Sequence, residues 1–261
     1  PDAIINPAAY TAVDKAETEQ ELAFAINAKA TAVMAHYIAN VAQGIFVHYS
    51  TDYVFADTKK TAYLEEDITG PVEKLSTYGQ SKLAGEQAIE EAFNLAQDSG
   101  HTSYKDKFSR YFILRTSWVY GDGHNFIKIM LRLAAERQEL KVVMDQWGVP
   151  TSASWLAELA VQLVGSQAQS GIYHCVPDGE TSWYALAVYA IKLASAAGQS
   201  LALKPENILP IPSGDYVTAA KRPHNSRLHH AKLKGALSEM ADTSVYPKWQ
   251  EHVKSYVQEC V

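Results

Sequence analysis

Hydrophobic and polar positions divide the chain into short apolar runs separated by longer amphipathic stretches. Ala3-Ile4-Ile5 reads as a buried strand, and Asn6 to Thr11 as a loop of mostly small residues leaving it. A charged stretch from Asp14 to Glu21 starts a helix, and Leu22 to Val41 continues it with alanine-rich helical periodicity up to Gly44. Gly44 to Tyr49 is the second strand, after which a polar connection, 56–76, leads to a helix from Thr77 to about Ala96. Asp98 to Lys107 is polar and turn-rich, an exposed excursion. Further strands fall at Phe108–Arg115, Leu140–Met144 and Ile172–Val176, and further helices at Asn125–Glu136, Trp155–Val164 and Trp183–Ala197. After Gly198 the pattern weakens until a closing helix from Tyr246 to Val261. Strands alternating with helices imply an α/β fold with a parallel, doubly wound sheet.

One stretch carries chemistry. Ser50-Thr51-Asp52-Tyr53 follows the second strand, so Thr51 sits at a strand end, the edge where such sheets bind ligands. Tyr78 and Lys82 lie one helical turn apart, which puts both side chains on one face. A phenol has a pKa of about 10, so at neutral pH it keeps its proton and acts as an acid rather than a base. An ammonium about 4 Å away favours phenolate by a few kcal/mol at an effective dielectric near 20. Phenol, ammonium and hydroxyl together suggest proton transfer to a carbonyl oxygen. Trp118, just past a strand end on the same edge, lines the pocket. Two arginines around the turn of Lys221-Arg222-Pro223-His224-Asn225-Ser226-Arg227 have the charge to clamp a diphosphate.

Composition narrows the class. At 261 residues, with a net charge of −6, the chain can bury a full core, and it has no broad surface for phosphate backbones, which argues against nucleic acid. No apolar run approaches the roughly 20 residues that span a bilayer, so no membrane partner is expected. Two cysteines, Cys175 and Cys260, are too few for a disulfide scaffold and suit a reducing, cytoplasmic setting, with Cys175 a buried thiol. No His-Glu-x-x-His, Cys-x-x-Cys or Gly-x-Ser-x-Gly spacing occurs, so neither a metal site nor a serine hydrolase is expected. His48, on a buried strand, reads as a hydrogen-bonded core residue.

Taken in order, Asn6 to Glu17, Ser50 to Phe55, Tyr78-Gly79-Gln80-Ser81-Lys82, Arg115 to Tyr120, Asp145 to Thr151 and Arg222 to Leu228 resemble the dTDP-4-dehydrorhamnose reductases. These are extended short-chain dehydrogenases/reductases, and the match runs over nearly the whole chain. The resemblance implies a Rossmann-like fold that uses NADPH or NADH to reduce the C4 keto group of a dTDP-4-keto-6-deoxy sugar, giving dTDP-L-rhamnose. It implies Tyr78 as the acid, Lys82 as the group that lowers its pKa and holds the nicotinamide ribose, and Thr51 as a donor to the carbonyl oxygen. Ala9, Tyr10, Thr11 and Tyr49 would also contact the cofactor. Asp52, Trp118 and Arg222 would join Thr51 on the sugar nucleotide. Residues 1–145 would form the cofactor-binding domain and 146–261 mainly the substrate-binding subdomain, interleaved with the sheet around 155–200.

The sequence departs from that pattern in three places. The family opens on Gly-x-x-Gly-x-x-Gly, which seats a pyrophosphate on a helix N-terminus. That first strand-helix-strand unit is absent, so the chain reads as N-terminally truncated and is expected to bind cofactor poorly. The run from Pro71 to Tyr78 is longer than the family's. Some members dimerise through magnesium held by glutamates, where this chain has Ser154 and Gln250; a monomer or a homodimer without a bridging ion is expected. Two alternatives remain beside the reductase: another extended reductase or epimerase acting on a nucleotide sugar, or a non-catalytic regulatory subunit of the same fold.

Overall fold

The computed structural model describes residues 1–42, 44–98, 109–238 and 246–260. Its centre is a parallel sheet of four strands, β1 (Ala3–Asn6), β2 (Ile45–Thr51), β3 (Arg110–Thr116) and β8 (Gly171–His174), in the order β1-β2-β3-β8. β2 and β3 are apolar along most of their length because both faces are covered, as parallel sheets require. Phe46, Val47, Phe112, Ile113 and Leu114 are fully buried. Registry of Thr51 with Thr116 brings the C-terminal ends of β2 and β3 to one edge. β1 is the outer strand on its side, and its Ile5 is exposed.

Three shorter pairs complete the β structure. β4 (Val119–Tyr120) pairs with β7 (Thr151–Ser152), and β6 (Trp147–Gly148) with β9 (Thr181–Ser182). The expected strand at 140–144 forms as β5 (Leu140–Val143), but it lies outside the central sheet and pairs with β10 (Ile208–Ile211). β10 has only four residues and a proline, which is why the sequence past Gly198 looked patternless.

The helices are α1 (Gln20–Ala42), α2 (Thr77–Asp98), α3 (Phe126–Glu136), α4 (Ala153–Gly165), α5 (Trp183–Ala196), α6 (Ala231–Ser238) and α7 (Trp249–Cys260). The charged stretch before α1 is one separate turn, Val13–Ala16, and the closing helix begins at Trp249 rather than Tyr246. By length and composition α1 is apolar enough to cross a bilayer, contrary to the expectation that no run comes near that length. Here its Ala35, Ile38 and Ala39 join the core that Phe46, Ile89 and Phe93 form under the sheet. α3, α5 and α7 build the core beneath the C-terminal half.

The polar connection between β2 and α2 is anchored rather than loose. Tyr63 is buried, stacks on Phe55 at 4.1 Å, and its backbone N–H donates to the Arg227 carbonyl at 2.9 Å. The expected excursion at 98–107 and the first residue of the expected strand at Phe108 fall outside the described residues, apart from Asp98 at the end of α2. Cys175 is buried, and both cysteines are free thiols.

Candidate active site

Thr51 ends β2, and its side-chain oxygen accepts the Tyr53 N–H at 3.2 Å, turning the chain into the single turn Asp52–Val54. The first turn of α2 packs closely here. A Cβ on Gly79 would lie 2.4 Å from the Tyr53 carbonyl oxygen, so only glycine permits the approach. Tyr78 therefore sits beside the strand end, edge-on to Tyr53 at 5.5 Å.

Lys82 follows one turn later and is 1 % exposed. Its ammonium donates to the Tyr49 carbonyl at 2.6 Å and lies 2.9 Å from His48 Nε2. Burial, with the Lys82 charge beside it, holds the His48 pKa well below its ordinary value, so the neutral ring accepts from the ammonium. His48 Nδ1 meets the Asn6 side-chain amide at 3.1 Å. His48 is thus the hydrogen-bonded core residue the sequence suggested, and it also ties Lys82 to the end of β1.

Burial pushes the Tyr78 phenol up to about 12, opposed by the Thr51 side chain. Lys82 spends its charge on His48 and the Tyr49 carbonyl. Burial in turn brings Lys82 down to about 8, against the pull of the Glu86 carboxylate. Asp52 is 2 % exposed, and burial raises its carboxyl to about 7, opposed by hydrogen bonds from Ser226 and Thr51. Its Oδ1 accepts from the Thr51 hydroxyl at 3.2 Å, while Oδ2 is buried without a partner.

These groups face a cavity of about 610 Å³. Pro7, Ala9 and Thr11 line it from the loop after β1, Tyr49 and Thr51 from β2, Asp52 from the turn that follows, and Tyr78 and Lys82 from α2. Trp118, Leu156 and Trp183 close it from the C-terminal half.

Two expected residues fall elsewhere. The Tyr10 hydroxyl turns outward to donate to Glu19 Oε2 at 2.6 Å, leaving only its backbone near the loop. Arg222 does not line the cavity; its guanidinium grips Asp14 at 2.7 and 3.1 Å. Arg227 bonds to Asn225, Glu180 and the Lys60 carbonyl. Both arginines hold the chain's own loops.

Asn27 went unnoticed in the sequence. It is fully buried in a widened turn of α1, accepts the Tyr10 N–H at 2.8 Å, and donates to the Tyr10 carbonyl at 3.1 Å and the Ser81 hydroxyl at 2.9 Å. It thereby fixes the loop after β1 against α2. An asparagine in the middle of an alanine-rich apolar helix was the available signal.

Small side chains on that loop leave room for a flat ring near Lys82, whose ammonium has one donor beyond the two bonds described. The residues fit the nicotinamide and ribose end of a dinucleotide. A parallel sheet with such a cavity at the carboxyl ends of its strands defines a Rossmann-type oxidoreductase.

Comparison with known proteins narrows this further. A family model described as the RmlD substrate binding domain matches residues 1–261, and the chain belongs to that family. It is 42 % identical over 264 residues to the dTDP-4-dehydrorhamnose reductase of Escherichia coli strain K12, covering 99 % of this chain and 80 % of that protein. Among solved structures, a Clostridium acetobutylicum dTDP-4-dehydrorhamnose reductase superposes with a TM-score of 0.82 at 33 % identity, covering all of this chain and 81 % of that one. The Bacillus anthracis dTDP-4-dehydrorhamnose reductase, solved in complex with NADP, gives a TM-score of 0.80 at 34 % identity, covering 99 % and 81 %.

Proposed function

We propose that this chain reduces the C4 keto group of dTDP-4-dehydro-β-L-rhamnose to give dTDP-L-rhamnose, drawing on NADPH or NADH. The observation that carries the reading is the convergence of Thr51, Tyr78 and Lys82 on one wall of the cavity. When bound, the reduced nicotinamide supplies the hydride. The Thr51 hydroxyl turns from Asp52 Oδ1 to donate to the carbonyl oxygen, polarising it. Tyr78, an acid at neutral pH with its pKa near 12, passes its proton to that oxygen as negative charge grows there.

Lys82 supports the same proton transfer. Its ammonium, held in a low-dielectric site, favours the phenolate that remains and presents its free donor to the ribose. Ala9, Thr11 and Tyr49, with the backbone of Tyr10, form the cofactor side of the cavity. Asp52 and Trp118 form the sugar-nucleotide side. All of these residues lie within 1–145, and residues 146–261 add Leu156 and Trp183 to the wall beside Trp118. The substrate and product are water-soluble nucleotide sugars, which suits a cytoplasmic enzyme working as a monomer or homodimer.

The test is a reductase assay that follows loss of nicotinamide absorbance with dTDP-4-dehydro-L-rhamnose. It is run on the full-length protein. Consumption dependent on the sugar nucleotide is expected. No consumption by the folded protein would refute the reading.

A further inference from the structure

Trp118 has an unusual backbone. Its φ is 48°, in the left-handed region, which costs a bulky residue on the order of 1–3 kcal/mol and persists only where surroundings enforce it. The enforcement comes from the loop 145–152. The Trp118 carbonyl accepts the Thr151 N–H at 3.2 Å, and the neighbouring Ser117 hydroxyl donates to the Val149 carbonyl at 3.0 Å.

The indole is equally confined. One face stacks on Trp183 with ring centroids 3.6 Å apart and planes 13° from parallel. Its edge meets Gly148, where a Cβ would lie 2.5 Å from Cε2, 2.8 Å from Cζ2 and 2.9 Å from Nε1. Gly148 does not have a left-handed φ, so glycine is needed there for space rather than for backbone freedom. Trp183 is itself backed by Phe126 at 4.5 Å. Both boundaries are set by one device: β6 pairs with β9 so that Gly148 faces Thr181 and Trp147 faces Ser182, the residue before Trp183.

We infer that Gly148 and Trp183 are positioning residues that hold the Trp118 indole at one fixed angle on the cavity wall, and that this angle sets the affinity for the sugar nucleotide. The inference rests on the reading of Trp118 as part of the sugar-nucleotide side. A methyl at position 148 cannot be absorbed by a rigid bicyclic ring held from behind by a second one, so the indole must swing into the cavity. The cofactor side, built from the loop after β1 and from α2, is not touched by that swing.

Gly148→Ala is expected to raise KM for the sugar nucleotide about 10-fold or more, on a scale where a 1 Å misplacement can cost about 10²-fold. Turnover at saturation should stay within about threefold, and cofactor affinity should hold, since the loss lies in uniform binding. Trp183→Leu should act in the same direction and abolish the near-ultraviolet circular dichroism of the stacked indoles, which Gly148→Ala should distort. In a Trp118→Ala background, Gly148→Ala should add nothing further to KM. An equal effect of Gly148→Ala with and without Trp118 would overturn the inference, as would an unchanged KM in both single variants. If instead Trp118→Ala alone leaves KM unchanged, the assignment of Trp118 to the substrate side falls. Thermal melts establish that each variant is folded.

Discussion

On one wall of the cavity, Thr51, Asp52, Tyr78 and Lys82 set hydroxyls, a carboxyl and an ammonium into hydrogen-bond chains anchored on β2. On the opposite wall, Trp118 and Trp183, backed by Phe126, offer ring faces and no titratable group. The first wall is electrostatically poised: every ionisable group on it is displaced from its ordinary pKa by burial. The second is sterically poised, its defining residue held in a strained backbone by contacts on two sides. A reductase acting on a nucleotide sugar needs both, because proton delivery depends on charge and the selection of a large substrate depends on shape.

The sharpest way to break this contrast is to remove the acid. Tyr78→Phe should lower kcat by about 10²–10⁴ while leaving cofactor affinity nearly intact, read by steady-state kinetics and a binding titration. Unchanged turnover would remove the proton-transfer role from that wall. Trp118→Ala should give the opposite split, a rise in sugar-nucleotide KM of about 10-fold with kcat little altered.

A smaller effect follows from protonation. Lys82 must carry charge to support phenolate, and its pKa is brought down to about 8. The reduction rate should therefore fall as pH rises above about 8, by at most about tenfold per pH unit. A Lys82→Arg variant, charged throughout, should flatten that limb of the pH–rate profile if it retains measurable turnover.

Asp52 offers a stability readout instead. Its folded-state pKa of about 7 lies above the ordinary carboxylate value of 3.8, so between those values the folded chain binds more protons than the unfolded one. Stability contributed at this site is thus present at low pH and lost as pH rises through 7. Asp52→Asn should raise the melting temperature at pH 8 more than at pH 4, the difference bounded by about 4 kcal/mol. An equal shift at both pH values would mean that burial does not hold the carboxyl proton.

The sequence announced the first wall more clearly than the second. β2, β3 and α2 were legible because an apolar run between turn signals and a one-turn spacing are local properties, and they put Thr51, Tyr78 and Lys82 in place. The tilt of Trp118 was not, since it depends on Gly148 and Trp183, far along the chain. The ion pair of Arg222 was hidden for the same reason: its carboxylate, Asp14, lies 208 residues away. The burial that raises the Tyr78 pKa was not legible, because spacing on a helix reports neighbours but not burial or competing acceptors. Position β5 was misplaced because its partner strand, β10, is too short to show a period.

One buried ion pair bears on all of this. Glu86 lies one further turn along α2 from Lys82, accepts bonds from Arg115 of β3 at 2.7, 3.0 and 3.2 Å, and takes the Ser50 hydroxyl of β2 as well. Both charged side chains are almost wholly enclosed, so losing either partner would strand a charge and cost about 3–5 kcal/mol. Such a contact works as an indexing pin. A helix can slide along a sheet by about 1.5 Å per residue, and apolar packing alone tolerates small slips. A guanidinium fork locked to a carboxylate does not. The axial phase of α2 is set at Glu86, and Tyr78, two turns upstream, inherits its distance from the end of β2 from that setting.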